Sequence, residues 1–283
     1  MSLDEDPCHI AVSWLSKFGE AICAGDIAAT TNTILPHGWL RDVLTFTWDC
    51  RSLEGTEKIS KYLSGKLKPG FITDVKLWDD AHVRPAFFPL GPGASGVEAP
   101  FSFEAPVTHG RGLARLVKDG NGEWKALSVC MYVADIKGHE ETDHEVGIYG
   151  NHTLAWADVY AERKAKIESE PQVLIVGGGQ IGLMLAATCK QMDIRALTIE
   201  RTDRVGDMWR SRYPTLVLHT TRRQHEMLYQ PYPATWPLFA PKAKFGDWLE
   251  GYVQFQDLVV WTSSQIDGQP LQGTLVRYHL GTI

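Results

Sequence analysis

The sequence predicts two domains of different fold class, an α+β domain followed by an incomplete α/β domain. The first half orders its patterns as helix, helix, strand, helix and then several strands, which is typical of an antiparallel sheet with its helices on one face. Beyond Pro171 the order becomes strand, glycine turn, helix and strand, which indicates a parallel α/β unit. The predicted boundaries are 1–136 for the first domain, 137–170 for a linker and connecting helix, and 171–283 for the second domain.

The first domain opens with apolar residues at helical spacing, which predict two helices over residues 7–35. The aromatic and β-branched stretch WLRDVLTFTWDC predicts a strand, and the amphipathic stretch GTEKISKYLSGKL predicts a third helix. Asp-Gly and Asn-Gly in VKDGNGEWKALSV predict a hairpin turn. The other strand candidates are residues 70–78, 83–88, 98–104, 109–117 and 123–134.

The linker DIKGHEETDHEVGIYGNHT is polar, and the segment after it, LAWADVYAERKAKIESE, predicts a helix. Five linker side chains are of types that bind metals, namely His139, Glu140, Glu141, Asp143 and His144. Their spacing matches no H-E-x-x-H helix, so we interpret them as a solvated charged run and expect no metal site.

Composition excludes several classes of protein. The net charge of −6 and the pI near 5.9 imply no basic face, so we expect no nucleic-acid partner. No apolar run reaches the roughly 20 residues that span a bilayer, and the acidic start MSLDEDPCHI does not resemble a signal peptide. Five scattered cysteines without a C-x-x-C pair favour reduced thiols, and we expect a cytoplasmic protein.

The second domain contains the most informative stretch, VLIVGGGQIGLMLAA, which fits G-x-G-x-x-G between a strand (173–176) and a helix (181–191). In this motif Gly177 permits the tight turn, Gly179 lets the backbone approach a pyrophosphate at the helix N-terminus, and Gly182 allows close packing of helix and strand. The next strand, IRALTIE, ends at Glu200, whose carboxylate can accept hydrogen bonds from the hydroxyls of an adenosine ribose. The fingerprint alone fits FAD and NAD equally, because both contain the same ADP half.

The residues after Glu200 resemble the second signature of flavin-containing monooxygenases, including the YUCCA-type enzymes. The matches are the Gly206–Trp209 element, Tyr213 at the head of a strand, and His219-Thr220 at its end. The resemblance implies FAD as the cofactor and recognition of its adenine by a return strand near Gln265 and Ile266. The residues implied to bind FAD are Gly177, Gly178, Gly179, Gln180, Ile181, Gly182, Glu200, Arg201, Met208, Trp209, His219, Thr220, Gln265 and Ile266.

The first half resembles the NTF2-like domain that precedes the flavin domain in a group of fungal monooxygenase-like proteins. The matching stretches are GWLRDVLTFTWDC, FSFEAPVTHGRGLARL and GNGEWKALSV. The resemblance implies a cone-shaped domain and a possible homodimer formed through it. A pocket there would draw on Trp39, Arg41, Asp42, Trp48 and His109. We favour the alternative, in which the tryptophans fill the cone and Arg41 and Asp42 form a surface or interface pair.

A complete enzyme of this family carries, within its flavin domain, a second glycine fingerprint for NADPH and a closing strand and helix, and neither is found in residues 171–283. We therefore expect a C-terminally truncated chain. The resemblance implies FAD-dependent oxygenation of a small organic metabolite with NADPH and O₂, impaired in this chain, and assigns no catalytic residue. The alternative is a non-catalytic paralogue whose NTF2-like domain serves binding or dimerisation.

Several residues keep two interpretations. His219 is expected to contact the cofactor, whereas Arg222 and Arg223 fit a solvent-exposed surface as well as a phosphate site. Trp209 packs either against the cofactor or in the core. Ile181, Leu185 and Thr188 are expected to form the face of the helix that packs on the sheet.

Overall fold

The computed structural model describes most of the chain, as two compact units over residues 1–138 and 139–283. The residues described are 6–78, 80, 82–92, 94–142, 155–266 and 280–282. The first unit is α+β and the second contains a Rossmann-type α/β arrangement, so the predicted fold class is confirmed.

In the part that the structure describes, the first unit combines three helices with seven strands. The helices are α1 (Pro7–Ala24), α2 (Ile27–Asn32) and α3 (Thr56–Leu63). The strands are β1 (Ile34–Val43), β2 (Cys50–Glu54), β3 (Thr73–Leu77), β4 (Ala86–Gly91), β5 (Ala94–Glu104), β6 (Thr108–Lys118) and β7 (Trp124–Ile136). The hairpin predicted between β6 and β7 is confirmed, with the Asp119 N–H donating to the carbonyl of Glu123 at 2.8 Å.

Local signals at both ends fix the first helix. The Asp6 carboxylate accepts a hydrogen bond from the backbone of Cys8, Pro7 occupies the first helical position, and Gly25 ends the helix at φ 71°. Trp14 and Phe18 stack on one face of α1 with ring centroids 4.7 Å apart. That face packs into the core of the first unit.

The sheet of the first unit is mixed, with strand order β2-β1-β7-β6-β5-β3 and β4 paired to β5. The expectation of an antiparallel sheet is wrong at one pair, because β1 runs parallel to β7. The single strand predicted for WLRDVLTFTWDC is also two strands. It breaks at Leu44, which adopts φ 67°, where the Asp42 carboxylate accepts hydrogen bonds from the backbone of Thr45 and Phe46.

Two glycines of β6 make room for aromatic rings in this core. A Cβ on Gly112 would lie 2.2 Å from the ring of Phe101, and one on Gly110 would lie 2.1 Å from the ring of Phe103. Both rings are fully buried, and that of Phe101 meets Phe18 edge-on. These two glycines are therefore needed for the packing of the Phe101 and Phe103 rings.

The second unit contains helices α4 (Trp156–Ser169), α5 (Gln180–Gln191), α6 (Asp207–Arg210) and α7 (Lys242–Phe255), with a 3₁₀ turn at Arg222–Gln224. Its strands are β8 (Val173–Val176), β9 (Ala196–Ile199), β10 (Val260–Trp261), β11 (Ser264–Ile266) and β12 (Leu280–Thr282). The order β10-β9-β8 is parallel throughout, as predicted for this half.

Two expectations for the second unit are wrong. Among the residues described, 213–220 form no regular strand, only an isolated bridge between Val217 and Pro241. The face of α5 is also reversed, because Ile181 and Leu185 are 69% and 48% exposed. The residues of α5 that pack into the core are Leu183, Ala186, Ala187 and Cys189.

Candidate functional site

The glycine turn joins β8 to α5 at the carboxyl end of the parallel strands. Gly177 adopts φ 109°, a conformation that side chains rarely tolerate, and its N–H donates to the carbonyl of Ile199 at 2.8 Å. A Cβ on Gly182 would lie 2.0 Å from the Gly177 carbonyl oxygen. The close approach of helix and turn therefore requires glycine at position 182.

The backbone around Gly179 is open. A Cβ built on Gly179 meets no atom within 4 Å, and no side chain caps the N-terminus of α5. The N–H groups of the first helical turn, which Gln180 and Ile181 begin, carry the positive end of the helix dipole. This arrangement can hold a phosphate or pyrophosphate group.

Glu200 follows β9 and lies beside the turn. Its Oε2 accepts a hydrogen bond from the Gly178 N–H at 2.8 Å, and its Oε1 accepts from both the backbone and the hydroxyl of Thr202, each at 2.8 Å. These contacts fix the carboxylate, which is half-buried. A carboxylate offers about four lone pairs, so an acceptor position remains for a ligand hydroxyl.

The segment after Glu200 leads to a second turn at Gly206. Gly206 adopts φ 90°, and a Cβ there would lie 2.4 Å from the carbonyl oxygen of Gly246 in α7. Met208 is 49% exposed and Arg201 is exposed. Trp209 packs edge-on against Phe245 in the core of the second unit. The core interpretation of Trp209 therefore fits its position, and a cofactor contact stays a prediction.

An ionic network fixes this second turn to α7. The Arg210 guanidinium donates to Asp207, Asp247 and Glu250 at 2.8–3.0 Å, and Arg204 reaches Glu250 at 2.6 Å. The hydrogen bond from Arg204 lowers the pKa of the Glu250 carboxyl. Motif matching did not find this network, although Gly246, a glycine inside helix α7, is a signal of close packing.

His219 and Thr220 are exposed. His219 makes no hydrogen bond or ion pair with another described residue, whereas the Thr220 hydroxyl lies 3.0 Å from Nδ1 of His225. Burial lowers the pKa of the His225 imidazole, whose ring meets Phe245 edge-on. Sequence reasoning missed His225, because no motif marks it.

Gln265 and Ile266 belong to β11 and directly follow Ser264, which contacts Glu200. The backbone N–H of Ser264 donates to the carbonyl of Glu200 at 2.9 Å. Gln265 is exposed and Ile266 is partly buried. The structure thus brings the glycine turn, Glu200 and the start of β11 together, and recognition of an adenine by β11 stays a prediction.

The pocket candidates on β1 point to opposite faces of the sheet, because successive side chains of a strand alternate between its two faces. Trp39 and Trp48 are 42% and 87% exposed, so the expectation that they fill the core is wrong. Asp42 is fully buried, so the expectation of a surface pair with Arg41 is also wrong. Residues 40 and 42 of β1 face the core, whereas 39 and 41 face outward.

The buried Asp42 carboxylate has partners within the protein. Besides the two backbone donors it accepts a hydrogen bond from the Tyr62 hydroxyl at 2.7 Å. Burial and, after it, the hydrogen bond to Asp42 raise the pKa of the Tyr62 hydroxyl to about 12. His109 lies elsewhere, with Nδ1 2.9 Å from the Glu104 carboxylate. The geometry therefore gives Asp42 a structural role.

The remaining candidates are dispersed. The Arg222 guanidinium donates to the carbonyl of Trp236, and Arg223 is exposed. In the linker, Nδ1 of His139 lies 2.8 Å from the carbonyl of Met192, and Asp143 and His144 lie outside the described residues. Where the structure describes the chain, it contains no group of three or more His, Cys, Asp or Glu able to hold a metal ion. Nor does that part of the chain contain a helix with the length and apolarity needed to cross a membrane.

Comparison with known proteins gives partial sequence matches. No protein-family model matches the chain. A probable indole-3-pyruvate monooxygenase, YUCCA9 of Arabidopsis thaliana, is 29% identical over 106 residues, which cover 37% of this chain and 25% of the relative. Indole-3-pyruvate monooxygenase YUCCA1 of Oryza sativa subsp. japonica is 35% identical over 83 residues, which cover 29% of this chain and 20% of the relative. The chain thus spans a quarter or less of the length of these two relatives.

Solved structures resemble each half separately. An NTF2-like protein from Shewanella baltica is 15% identical, with a TM-score of 0.31, and covers 44% of this chain and 92% of its own. A flavin-containing monooxygenase from Stenotrophomonas maltophilia is 19% identical, with a TM-score of 0.33, and covers 38% of this chain and 32% of its own. Over about a third of its length, the chain is therefore similar in sequence to YUCCA-type flavin monooxygenases.

Proposed function

We propose that this chain is an FAD-dependent oxidoreductase of the monooxygenase kind. The observation that supports it best is the geometry of the glycine turn, in which Glu200 lies 2.8 Å from the Gly178 N–H beside the uncapped start of α5. This arrangement fits the ADP half of a dinucleotide. The names of the sequence relatives, which are monooxygenases, favour FAD over NAD.

The residues present fit FAD at the glycine turn. The open backbone at Gly179 and the N–H groups that follow it would hold the pyrophosphate, and Gly182 keeps α5 close to the turn. Glu200 would accept hydrogen bonds from the ribose hydroxyls. The backbone of Gln265 and Ile266 would flank the adenine.

Bound FAD would supply two-electron redox chemistry and reaction with O₂. The chain's own contribution is binding and orientation, because the hydrogen bonds of Glu200 and the network around Arg210 hold both turns in place. We propose NADPH as the reductant and a small organic metabolite as the substrate, by analogy with the relatives. We assign no catalytic residue.

For this chain we propose FAD binding with impaired turnover, because of its two G-x-G-x-x-G runs only 177–182 lies between a strand and a helix, whereas 91–96 joins β4 to β5. In this proposal residues 1–136 form a binding or dimerisation domain, 137–170 connect, and 171–283 hold the ADP half of FAD. The competing function is a protein that acts through the first domain alone.

Purification of the chain and measurement of its visible flavin absorbance test this proposal. Retained FAD supports it, and FAD that bleaches slowly on addition of NADPH supports impaired turnover. Rapid bleaching would show that the chain is fully competent in reduction. No bound flavin, even after incubation with excess FAD, would leave the first-domain function as the better explanation.

A further inference from the structure

A cavity lies at the edge of the parallel sheet opposite the glycine turn. Its walls include Arg195 and Ala196 at the start of β9 and Leu258 and Val259 just before β10, whereas the glycine turn follows the other ends of these strands. Its volume is about 540 Å³. Pockets for small organic ligands have about 300–1,000 Å³, so this cavity is large enough for one.

Helix α4 forms one side of the cavity. None of the residues of α4 is buried, although a helix that packs on a sheet normally buries an apolar stripe. The end of α4 is attached by two hydrogen bonds, from the Trp261 indole to Glu168 and from Arg195 Nε to the carbonyl of Glu170, both at 2.8 Å.

One part of the cavity wall is apolar. Ala186, Ala196, Leu258 and Val259 line it and are buried, and Ile194 adds a partly buried side chain. Burial of apolar surface against such walls is the general source of affinity for organic ligands. An occupant therefore needs an apolar body.

The rim of the cavity is positively charged. Five basic residues line it against two acidic ones, Asp193 and Asp257. Of the basic residues, Lys190 lies 3.4 Å from Asp257, and Lys164 lies 3.9 Å from Glu168. The ammonium of Lys166 makes no hydrogen bond or ion pair with another described residue. This excess of cations favours an anionic group on the occupant.

A neutral donor also faces the cavity. Tyr160 lines it from α4, and burial, with Asp257 and Glu168 nearby, raises the pKa of its hydroxyl. The hydroxyl therefore stays protonated at neutral pH and can donate a hydrogen bond to a carboxylate.

We propose that this cavity is a second ligand site, separate from the dinucleotide site, for a small carboxylate with an aromatic or alkyl body. The apolar walls take the body, and the carboxylate lies at the rim near Lys164, Lys166 and Arg195. The ligand then supplies the packing that α4 lacks, so its binding orders α4 against the sheet.

Calorimetric titration of the full chain with naphthoate, and with neutral naphthamide as the matched probe, tests this site. We expect one naphthoate per chain and about tenfold weaker binding of the amide, because the charge-assisted contacts are lost. The double variant Lys164→Gln, Lys166→Gln should weaken naphthoate about tenfold. The matched control on α3, Lys58→Gln with Lys61→Gln, should leave the affinity unchanged.

The location of the naphthoate site is tested by hydrogen exchange and by competition with FAD. Naphthoate should slow exchange of the amides of 156–169, and saturating FAD should not displace it. Leu258→Trp should block the cavity and abolish binding, with circular dichroism as the check on folding. Absence of binding, equal affinity for the amide, insensitivity to the lysine changes or displacement by FAD would each overturn the proposal, and the first three do not depend on whether FAD binds.

Discussion

Gly112 in the first unit and Gly179 in the second show two opposite uses of the same residue. A Cβ on Gly112 would collide with the buried ring of Phe101, so that ring occupies the space that a side chain at position 112 would need. A Cβ on Gly179 would meet nothing within 4 Å, although a helix begins there. The first space is filled and the second is open to a ligand.

This difference teaches how to separate structural from binding glycines. Both belong to glycine-rich stretches, HGRG in β6 and GGGQIG at the start of α5, and composition alone does not distinguish them. The surrounding atoms do, since a packing glycine should control stability and a binding glycine should control affinity. The following predictions test that separation, beginning with a glycine for which both effects are expected.

Gly182→Ala should cause the largest loss. Its Cβ would lie 2.0 Å from a backbone oxygen, so the turn itself must move. We expect a stability loss of about 3 kcal/mol and no measurable flavin retention. Urea unfolding and flavin absorbance measure the two effects. A variant with normal stability and normal flavin content would contradict the close approach seen at this turn.

Gly112→Ala should destabilise the first unit by about 2 kcal/mol, because the ring of Phe101 has no free space to enter. The affinity of the chain for FAD should not change. Gly120→Ala is the matched control, since a Cβ at that position in the β6–β7 turn meets no atom within 4 Å. A fall in FAD affinity in Gly112→Ala would break the distinction between the two glycines.

Gly179→Ala should leave the free energy of unfolding within about 0.5 kcal/mol of the parent, because φ is −80° and the surroundings are open. The added methyl group would occupy the space that a pyrophosphate needs, so we expect FAD affinity to fall at least about tenfold, a cost of about 1.4 kcal/mol. Flavin titration measures this. An unchanged affinity together with unchanged stability would show that the open space is not a binding site.

Glu250→Gln should have the smallest effect. The pKa of the Glu250 carboxyl is lowered from its ordinary value of 4.5 by the hydrogen bond from Arg204. The ion pair therefore stabilises the folded chain above pH 4.5, and this stabilisation is lost as the pH falls through the lowered pKa. Because the pair is partly exposed, we expect about 0.5 kcal/mol at neutral pH. Urea unfolding between pH 3 and 7 should show the variant and parent converging at low pH, whereas the exposed-residue control Glu162→Gln should follow the parent throughout. A constant difference across this range would argue against the ion pair.

The sequence predicted those parts of the molecule that depend on short spacings. The strand, turn and helix over residues 173–191 lie next to one another in the chain, and Glu200 follows within one further strand. Turn residues likewise predicted the β6–β7 hairpin. Local backbone preferences decide these elements.

The parts that could not be predicted depend on residues far apart in the chain. α5 is apolar on two faces, and the one that becomes buried is decided by the sheet and α7. The contact between Gly206 and Gly246 joins two segments across 40 residues. Asp42 becomes a buried acceptor because β1 ends where Thr45 and Phe46 turn back towards it.

The parallel pairing of β1 with β7 has a consequence for how the first unit forms. Ile34 pairs with Ala126, so the centre of the sheet joins strands from opposite ends of this unit. Closing so long a loop costs chain entropy before any contact compensates for it, which slows folding. During synthesis β1 can pair with β2, which follows it directly, but its other edge has no partner until the ribosome has released β7. The nascent chain thus carries an unpaired strand edge through most of the translation of this unit, a stage at which it is open to association with other chains.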